Sequence, residues 1–259
     1  MITTMTDILI NREKGVAIVT INRPEKRNSV TYKMWQEFAD VFDNLSADKS
    51  VRAVMLTGAG DDFSVGADVS EFDEVRENHE KAKAYEYAVD KGCAAIMQCT
   101  KPVIAVQFGY TLGGGAHLAM STDFRYAHSR SKFGIPAANL SIVYGVQATR
   151  KLLALVGLSE AKRILYSGEH FDAAHAEQVG FVDHVSEAPL EAAHQLARTL
   201  ARKAPLTQSG AKYILNSTIL REFDAAKADN LIDIAAASID YEEGRAAFSE
   251  KRRPVFRGE

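Results

Sequence analysis

The chain has 259 residues, of which 46% are hydrophobic and 25% charged, and its formal net charge is −3 at pH 7. A chain of this length and composition can bury a core without disulfides or a structural metal, and its charge is not that of a general nucleic-acid binder. The two cysteines, Cys93 and Cys99, have neither metal-ligand spacing nor the number that a disulfide framework needs, which favours a reduced, intracellular compartment.

The sequence shows no signal for export or for membrane insertion. Residues 1–7 lack a basic stretch followed by an apolar one, so we expect no signal peptide. No apolar run approaches the roughly 20 residues that span a bilayer. The sequence therefore predicts a cytoplasmic protein that binds neither membrane nor nucleic acid.

Predicted strands alternate with predicted helices over the first two thirds of the chain. Apolar runs predict strands, and apolar residues at helical spacing predict helices at about 32–45 and, with many charges, at about 80–98. The predicted strands are 16–21, 51–57, 103–106, 124–127 and 181–185. This alternation predicts an α/β fold in which crossover helices cover a sheet.

Alanine-rich helical patterns dominate the last part of the chain, from 189 to 249. We therefore predict an α/β core over residues 1–187 and a helical C-terminal region over 188–259. No Gly/Ser/Pro-rich linker separates them, so we expect the helical region to dock closely on the core or to exchange with a neighbouring subunit.

Three successive glycines follow the predicted strand at 103–106. Gly113, Gly114 and Gly115 precede a segment of helical composition at 116–120. Glycines let the backbone turn sharply and let a ligand approach the amides, and the first amides of a helix lack intrahelical partners and lie at the positive end of its dipole. Such amides suit a developing oxyanion, for which losing one donor typically costs ~10²–10³ in rate. The alternative is that the glycines only let a strand pack closely on a helix.

A second glycine turn follows the predicted strand at 51–57. Gly66 and Ala67 in this turn are small enough for close backbone approach. The triple-glycine segment has neither the GxGxxG nor the Walker A pattern of a nucleotide site. Because ligand sites of open α/β sheets lie where strands end, two such turns favour a ligand site over a packing role.

These two turns, with other segments in the same order, resemble the crotonase (enoyl-CoA hydratase/isomerase) superfamily. The matching segments are 21–29, 63–68, 101–120, 132–136, 174–182 and 243–254. The resemblance implies a crotonase-like spiral of ββα units, a helical C-terminal trimerisation region, and a homotrimer or dimer of trimers. It also implies an acyl-CoA thioester as the substrate, with coenzyme A as part of that substrate and no separate cofactor.

The resemblance assigns residues to the site. It implies an oxyanion hole formed by the backbone amides of Ala67 and Gly114, and a CoA molecule along the 26–29 loop and the 66–68 turn. Two C-terminal side chains would reach the CoA of a neighbouring subunit. The binding residues so implied are Lys26, Arg27, Ser29, Gly66, Asp68, Gly113, Phe248 and Lys251. A turn-stabilising role is the alternative for Asp68; helix packing and a solvated charge are the alternatives for Phe248 and Lys251.

The chain departs from the family pattern at two positions. Hydratases of the family use two glutamates, and the corresponding positions here are His117 and Ala137. Hydration of an enoyl thioester needs water activated at one carbon and a proton delivered to the next. An alanine can do neither, and Ile135, Pro136 and Ala138 make its surroundings apolar. The sequence therefore does not support hydration by two glutamates.

His117 and Tyr144 remain as candidates for proton transfer. His117 follows Gly114 by three residues, which places both on one face of a helix that begins there, and a helix N-terminus favours the neutral imidazole. Tyr144, in the pattern Asn139-Leu140-x-x-x-Tyr144, resembles a position of methylmalonyl-CoA decarboxylase in the same superfamily and is a candidate proton donor. The alternatives are a first-turn histidine bonded to backbone or water, and a packed aromatic side chain.

The sequence thus predicts an acyl-CoA enzyme of the enoyl-CoA hydratase/isomerase type, in which two amides polarise the thioester and His117, with Tyr144, moves protons. Hydration by a single residue, double-bond isomerisation, decarboxylation and hydrolysis stay open. A non-catalytic acyl-CoA-binding paralogue is the alternative from another class, and the polar residue at position 117 argues against it. We expect no metal site, because the acidic pairs of the sequence lack partner ligands at useful spacing.

Overall fold

The computed structural model describes residues 7–259. The prediction that the N-terminus carries no signal peptide falls on residues 1–7, which lie outside the described range except for Asp7. The strands are β1 (Ile8–Glu13), β2 (Val16–Ile21), β3 (Ala53–Gly58), β4 (Val103–Gln107), β5 (Tyr110–Leu112), β6 (Phe124–His128), β7 (Lys132–Gly134), β8 (Phe171–Asp172) and β9 (His184–Ser186).

The helices lie between and after these strands. They are α1 (Tyr32–Ala47), α2 (Phe72–Val75), α3 (His79–Gln98), α4 (Gly114–Met120), α5 (Val146–Ser167), α6 (Ala173–Gln178), α7 (Pro189–Leu200), α8 (Pro205–Leu220), α9 (Ala225–Ala236) and α10 (Ile239–Ser249). Short 3₁₀ turns occupy Pro24–Lys26, Val69–Glu71 and Pro136–Leu140. The backbone of α5 is interrupted at Gly157, where φ is +74°.

Two sheets form the strand layers. The larger sheet has the order β1-β2-β3-β4-β6-β9; β1 pairs antiparallel with β2 and the other neighbours pair in parallel. The smaller sheet has the order β5-β7-β8, with β5 and β7 parallel. Parallel neighbours need a crossover connection, which α1 supplies between β2 and β3 and α3 supplies between β3 and β4. The predicted α/β fold class is confirmed.

The larger sheet is covered on both faces. Val54 and Leu56 of β3 pack in one cluster with α1 and α3, whereas Ala53 and Met55 pack in another cluster with α7. Successive side chains of a strand point to opposite faces, so α7 covers the face that α1 and α3 leave. The continuous apolar sequence of the strands follows from this double burial.

The strand predicted at 181–185 is wrong for residues 181–183, because pairing begins only at His184. The ring of Phe181 packs 5.6 Å from that of Phe133 and 5.4 Å from that of Phe171. The side chain of Arg125 donates its Nε–H to the carbonyl oxygen of Phe181 at 3.0 Å. A buried side chain therefore satisfies a backbone group that a ladder would otherwise pair.

Only helices follow β9, so the predicted helical C-terminal region is present. Its first helix, α7, is the most strongly amphipathic of the described helices. It buries Ala193 and Ala197 against the sheet. No helix within residues 7–259 combines the length and the apolar composition needed to cross a bilayer.

Candidate active site

Ser64 joins three loops at the edge of the sheet where the parallel strands end. Its N–H donates to the carbonyl oxygen of Tyr110 at 3.0 Å, and its own carbonyl oxygen accepts from the N–H of Leu112 at 3.0 Å. Its hydroxyl donates to the carbonyl oxygen of Asn28 at 2.7 Å. These bonds fix the turn at 64–67 against the loop that leads into α4. Sequence reasoning did not assign Ser64 a role, and the structure gives it this connecting one.

The two glycine turns meet back to back. Gly66 has φ of +90°, and a Cβ added to it would lie only 2.6 Å from the backbone nitrogen of Gly114. A Cβ added to Gly114 would lie 3.3 Å from the nitrogen of Ala67 and 3.0 Å from Cζ2 of Trp35. Real Cβ atoms do not approach other atoms as closely as 2.6 Å, so the turns meet only because Gly66 has no side chain. Gly113, at φ +50°, caps the start of α4.

The amides of Ala67 and Gly114 have no acceptor among the described residues. Val30 donates to the carbonyl oxygen of Gly66 at 2.7 Å and accepts from the N–H of Asp68 at 2.9 Å, so the amide of Ala67 faces away from this bridge. Gly114 is the first residue of α4, and its N–H has no intrahelical partner. Two neighbouring N–H groups are thus left without an acceptor in the described part of the chain.

These two residues line a cavity of about 220 Å³. Its walls are largely apolar and include Trp35, Phe72, Val89, Ile135, Ala137 and Leu140. Its titratable lining consists of Arg76, Tyr85, Glu86, Asp90, His117 and Tyr144. The structure therefore brings the four predicted catalytic residues together in one cavity, and it places Ala137 in the apolar wall.

His117 lies on α4, is buried, and lines this cavity. Burial lowers the pKa of its imidazole well below the usual 6.5, and the nearby charge of Lys151 lowers it further. The imidazole is therefore neutral at pH 7. Its Nε2 lies 3.4 Å from Nζ of Lys151.

Lys151, on α5, was missed by the sequence analysis. Its side chain is buried, and Nζ donates to Oγ of Ser121 at 2.8 Å; this hydroxyl in turn donates to the carbonyl oxygen of His117 at 2.7 Å. Burial lowers the pKa of Lys151. The sequence does show that Lys151 lies at helical spacing from the apolar residues Ala148 and Leu152, on a helix face that is buried. A lysine is unexpected at such a position.

Tyr144 contacts the turn that carries the amides. Its hydroxyl donates to the carbonyl oxygen of Gly113 at 2.9 Å, and the same oxygen accepts from the N–H of His117 at 3.1 Å. Burial above all, with nearby acidic groups, raises the pKa of Tyr144 well above 10. The ring centroids of Tyr144 and His117 are 6.1 Å apart. The phenol proton is thus engaged with the backbone of Gly113.

Two carboxylates reach the cavity from α3. Glu86 forms an ion pair with Arg76 at 2.8 Å. The side chain of Asp90 has no hydrogen bond or ion pair with any described residue; burial raises its pKa, and the charge of Lys151 opposes this. The sequence predicts a charged helix around Asp90 but indicates no role for this residue. Its position beside the buried Val89 and Cys93 was the available signal.

Comparison with known proteins supports the same reading of the fold. Residues 11–259 match the family model for enoyl-CoA hydratase/isomerase. The chain belongs to this family. The predicted crotonase resemblance is therefore confirmed, together with the predicted crotonase-like fold.

Several members of the family are similar over almost their whole length. The crystal structure of an enoyl-CoA hydratase/carnithine racemase from Magnetospirillum magneticum matches with a TM-score of 0.92 and 34% identity, over 99% of this chain and 97% of that chain. The 2,3-dehydroadipyl-CoA hydratase of Escherichia coli K12 is 32% identical over 98% of this chain and 100% of its own. The crotonyl-CoA hydratase of Syntrophomonas wolfei is 32% identical over 96% and 97%.

In this family member, Arg23 links the two segments to which CoA binding was assigned. Its guanidinium donates to the carbonyl oxygen of Ser29 at 2.8 Å and to Oδ2 of Asp68 at 2.9 Å. Burial alone would raise the pKa of Asp68, but hydrogen bonds from Ser70 and Arg23 outweigh it and hold the value at about 2. The carboxylate thus has the turn-stabilising contacts that were the alternative to CoA binding.

The other predicted CoA-binding side chains lie outside the cavity. Lys26 ends the turn Pro24–Lys26 and is exposed, and the Arg27 guanidinium lies 5.2 Å from the ring centre of Tyr110. Phe248 is 88% exposed and Lys251 follows the end of α10. Within one subunit the structure does not bring the last two residues to the cavity.

No group of three or more His, Cys, Asp or Glu side chains within residues 7–259 is arranged to hold a metal ion.

Proposed function

We propose that this enzyme of the enoyl-CoA hydratase/isomerase family binds an acyl-CoA thioester in the cavity, forms its enolate there, and shifts a carbon–carbon double bond of the acyl chain. The observation that carries the proposal is the pair of unpartnered amides, Ala67 and Gly114, beside the neutral imidazole of His117 in one apolar cavity. The relatives from Escherichia coli and Syntrophomonas wolfei are hydratases of enoyl-CoA thioesters, which supports this substrate class.

The amides of Ala67 and Gly114 would hold the thioester carbonyl oxygen. When a proton leaves the adjacent carbon, negative charge collects on this oxygen, and two fixed donors stabilise that charge more than they stabilise the neutral carbonyl. The interaction is strongest where water is excluded, as in a cavity with apolar walls. Each donor is expected to contribute about 10²–10³ in rate.

His117 would remove the proton. A general base must be unprotonated at the working pH, and burial keeps the imidazole neutral. Proton transfer by a positioned side chain contributes typically ~10²–10⁴ in rate. The hydroxyl of Tyr144, which donates to the carbonyl oxygen of Gly113, would hold the amide of Gly114 in place.

Ala137 favours isomerisation over hydration. Hydration needs a water molecule held and deprotonated at the carbon beyond the enolate. The side chains of Ile135, Pro136 and Ala137 line the cavity and offer no acceptor for such a water proton. A double-bond shift needs only that a proton is removed at one carbon and returned at another, which neutral side chains can accomplish.

We further propose that CoA lies along the 26–29 loop, where Lys26 and Arg27 present two exposed positive charges. The chain would act as a cytoplasmic homotrimer or dimer of trimers, with Phe248 and Lys251 reaching the CoA of a neighbouring subunit. Large apolar side chains that are exposed on α8, on α9 and in the connection between them support self-association: Leu215, Ile219, Phe223, Ile232 and Ile234. Light scattering of the purified protein measures the assembly directly.

The test of the reaction is a panel of acyl-CoA thioesters analysed by mass spectrometry and NMR. We expect vinylacetyl-CoA and crotonyl-CoA to interconvert without a change of mass, and His117→Gln to slow this by at least about 100-fold. His79→Gln, at an exposed residue that begins α3, is the matched control.

Other outcomes would contradict the proposal in distinguishable ways. Gain of water would identify a hydratase, loss of carbon dioxide a decarboxylase, and release of free CoA a hydrolase. Saturable binding without any product across short, branched and dicarboxylic acyl-CoA thioesters would identify a binding protein.

A further inference from the structure

We propose that Asp90 carries the second proton transfer of the reaction, as the acid that protonates the far carbon of the acyl chain. This inference rests on the enolate chemistry proposed above, and it adds a catalytic residue on a different element, α3.

The geometry places Asp90 in the wall of the cavity proposed to bind the acyl chain. Asp90 lines the same cavity as Gly114 and His117. A Cβ added to Gly145 would lie 3.6 Å from Oδ1 of Asp90, so the carboxylate sits beside the turn between Tyr144 and α5. Its neighbour Gly145 directly follows Tyr144, whose hydroxyl contacts the amide turn.

The position of α3 is fixed by close packing on α1. A Cβ added to Gly92 would lie 2.6 Å from the carbonyl oxygen of Trp35, so the two helices approach where α3 has a glycine. Asp90 lies two residues before this contact, and the ring of Trp35 also lines the cavity. The Asp90 side chain is thus held on a rigid element rather than on a loop.

A stabilising role does not account for Asp90. The other carboxylate of the cavity, Glu86, is paired with Arg76 at 2.8 Å. Asp90 has no such partner in the described part of the chain, although it is half-buried. A carboxylate withdrawn from water without a partner destabilises the fold. What it offers instead is a titratable group that faces the space a substrate would fill.

The pKa values of Asp90 and His117 are shifted in opposite directions, as a proton donor and a proton acceptor require. Burial raises the pKa of Asp90, an effect that the charge of Lys151 opposes, and burial lowers the pKa of His117. Desolvation thus acts against the charged form of each group. A bound acyl chain would displace more water and strengthen both shifts. Five other titratable residues line the cavity with Asp90, namely Arg76, Tyr85, Glu86, His117 and Tyr144. Lys151 and Cys93 also interact with it electrostatically.

The proposed step conserves protons and electrons. His117 takes a proton from the carbon next to the thioester carbonyl, and the C–H electron pair moves into the conjugated chain and onto the oxygen held by the amides. The Asp90 carboxyl group gives its proton to the far carbon of the dienolate while the electrons return from the oxygen. The products are crotonyl-CoA, an imidazolium and a carboxylate. Transfer of one proton from imidazolium to carboxylate through solvent restores the enzyme.

The experiment compares Asp90→Asn with wild type on vinylacetyl-CoA in deuterium oxide. Wild type is expected to place deuterium at the α-carbon and to form crotonyl-CoA deuterated at its terminal carbon. For Asp90→Asn we expect α-exchange to continue while crotonyl-CoA formation falls about 100-fold. Glu80→Gln, an exposed change on the same helix, is expected to leave both rates unchanged.

A pH profile separates proton donation from a structural effect. If Asp90 must be protonated, the rate of the double-bond shift falls as pH rises through its pKa, and this limb is absent in Asp90→Asn. Asp90→Glu keeps a carboxylic acid, so it should retain the limb at a shifted pH. Because Asp90 has no partner, Asp90→Asn should melt no lower than wild type.

Each contradictory result has one meaning. Crotonyl-CoA formation at the wild-type rate in Asp90→Asn overturns the role of Asp90 and leaves the proposed function standing. Loss of α-exchange in that variant would make Asp90 the first base and overturn its assignment as the second group. A wild-type protein that neither exchanges nor isomerises vinylacetyl-CoA overturns the proposed function itself.

Discussion

The backbone of Gly66 lies so close to that of Gly114 that a Cβ on Gly66 would be 2.6 Å from the Gly114 nitrogen. This contact places two amides from distant parts of the chain beside each other. Because Gly66 also has φ of +90°, a side chain there is strained in addition to the clash. The geometry of the amide pair therefore depends on the absence of one methyl group.

Gly66→Ala is expected to displace the amide of Gly114 and to lower kcat/KM by about 10²–10³, the usual effect of losing one oxyanion donor. The measurement is the rate of vinylacetyl-CoA isomerisation. Gly210→Ala is the control, since its added Cβ would lie 3.9 Å from the nearest atom, on Leu231, and falls within a helix. Equal activity of the two variants would show that the amide pair is not used.

Lys151→Met should raise the pKa of His117. The charge of Lys151 lowers that pKa, whereas burial, the larger cause, persists in the variant, so the value should rise but stay below 6.5. Because the reaction needs neutral His117, the acid limb of the pH–rate profile should move to higher pH. NMR titration of the imidazole reports the pKa directly. Lys162→Met, at an exposed residue of the same helix, should change neither.

His117 should also make stability depend on pH. Its pKa in the folded state is well below 6.5, so below about pH 6.5 the unfolded chain binds more protons and the free energy of unfolding falls as pH falls. His117→Gln lacks this contribution. Relative to that variant, wild type should lose up to about 1.4 kcal/mol per pH unit below this point. Parallel denaturation curves at pH 7 and pH 5 would contradict the buried, neutral histidine.

Arg23→Met should weaken substrate binding more than it slows chemistry. Arg23 bonds Ser29 and Asp68, which hold the two segments assigned to CoA, but it does not line the cavity. We expect KM to rise about tenfold, as for the loss of a hydrogen bond to a charged group, with a smaller change in kcat. Arg12→Met removes an exposed ion pair with Asp48 and should leave both constants unchanged. A fall in kcat at unchanged KM would contradict this role.

The sequence predicted those helices and strands that are long enough to show a periodic apolar pattern or that begin at glycines. The helix at 32–45 and the helix start at Gly114 follow from apolar spacing and from glycines, and the structure has both. Strands β5, β7 and β8 have two or three residues each, too few for a periodic signal. The strand expected at 181–183 failed because a side chain far away in sequence, Arg125, bonds its backbone.

The sequence predicted only those site residues that the family resemblance assigns. Ala67, Gly114, His117 and Tyr144 were named from the sequence and lie in one cavity. Asp90 and Lys151 were not, because their meaning depends on which helix faces meet the cavity. Each is a charged residue in a buried row of its helix, which is a local anomaly whose role appears only once α3, α4 and α5 are packed together.

Deuterium incorporation at the α-carbon of vinylacetyl-CoA tests the central claim most directly, because it detects the enolate whatever product follows. Wild type in deuterium oxide should exchange this position, and His117→Gln and Gly66→Ala should each slow the exchange by at least about 100-fold. If vinylacetyl-CoA binds saturably and wild type exchanges no faster than these two variants, the cavity forms no enolate and the account is wrong.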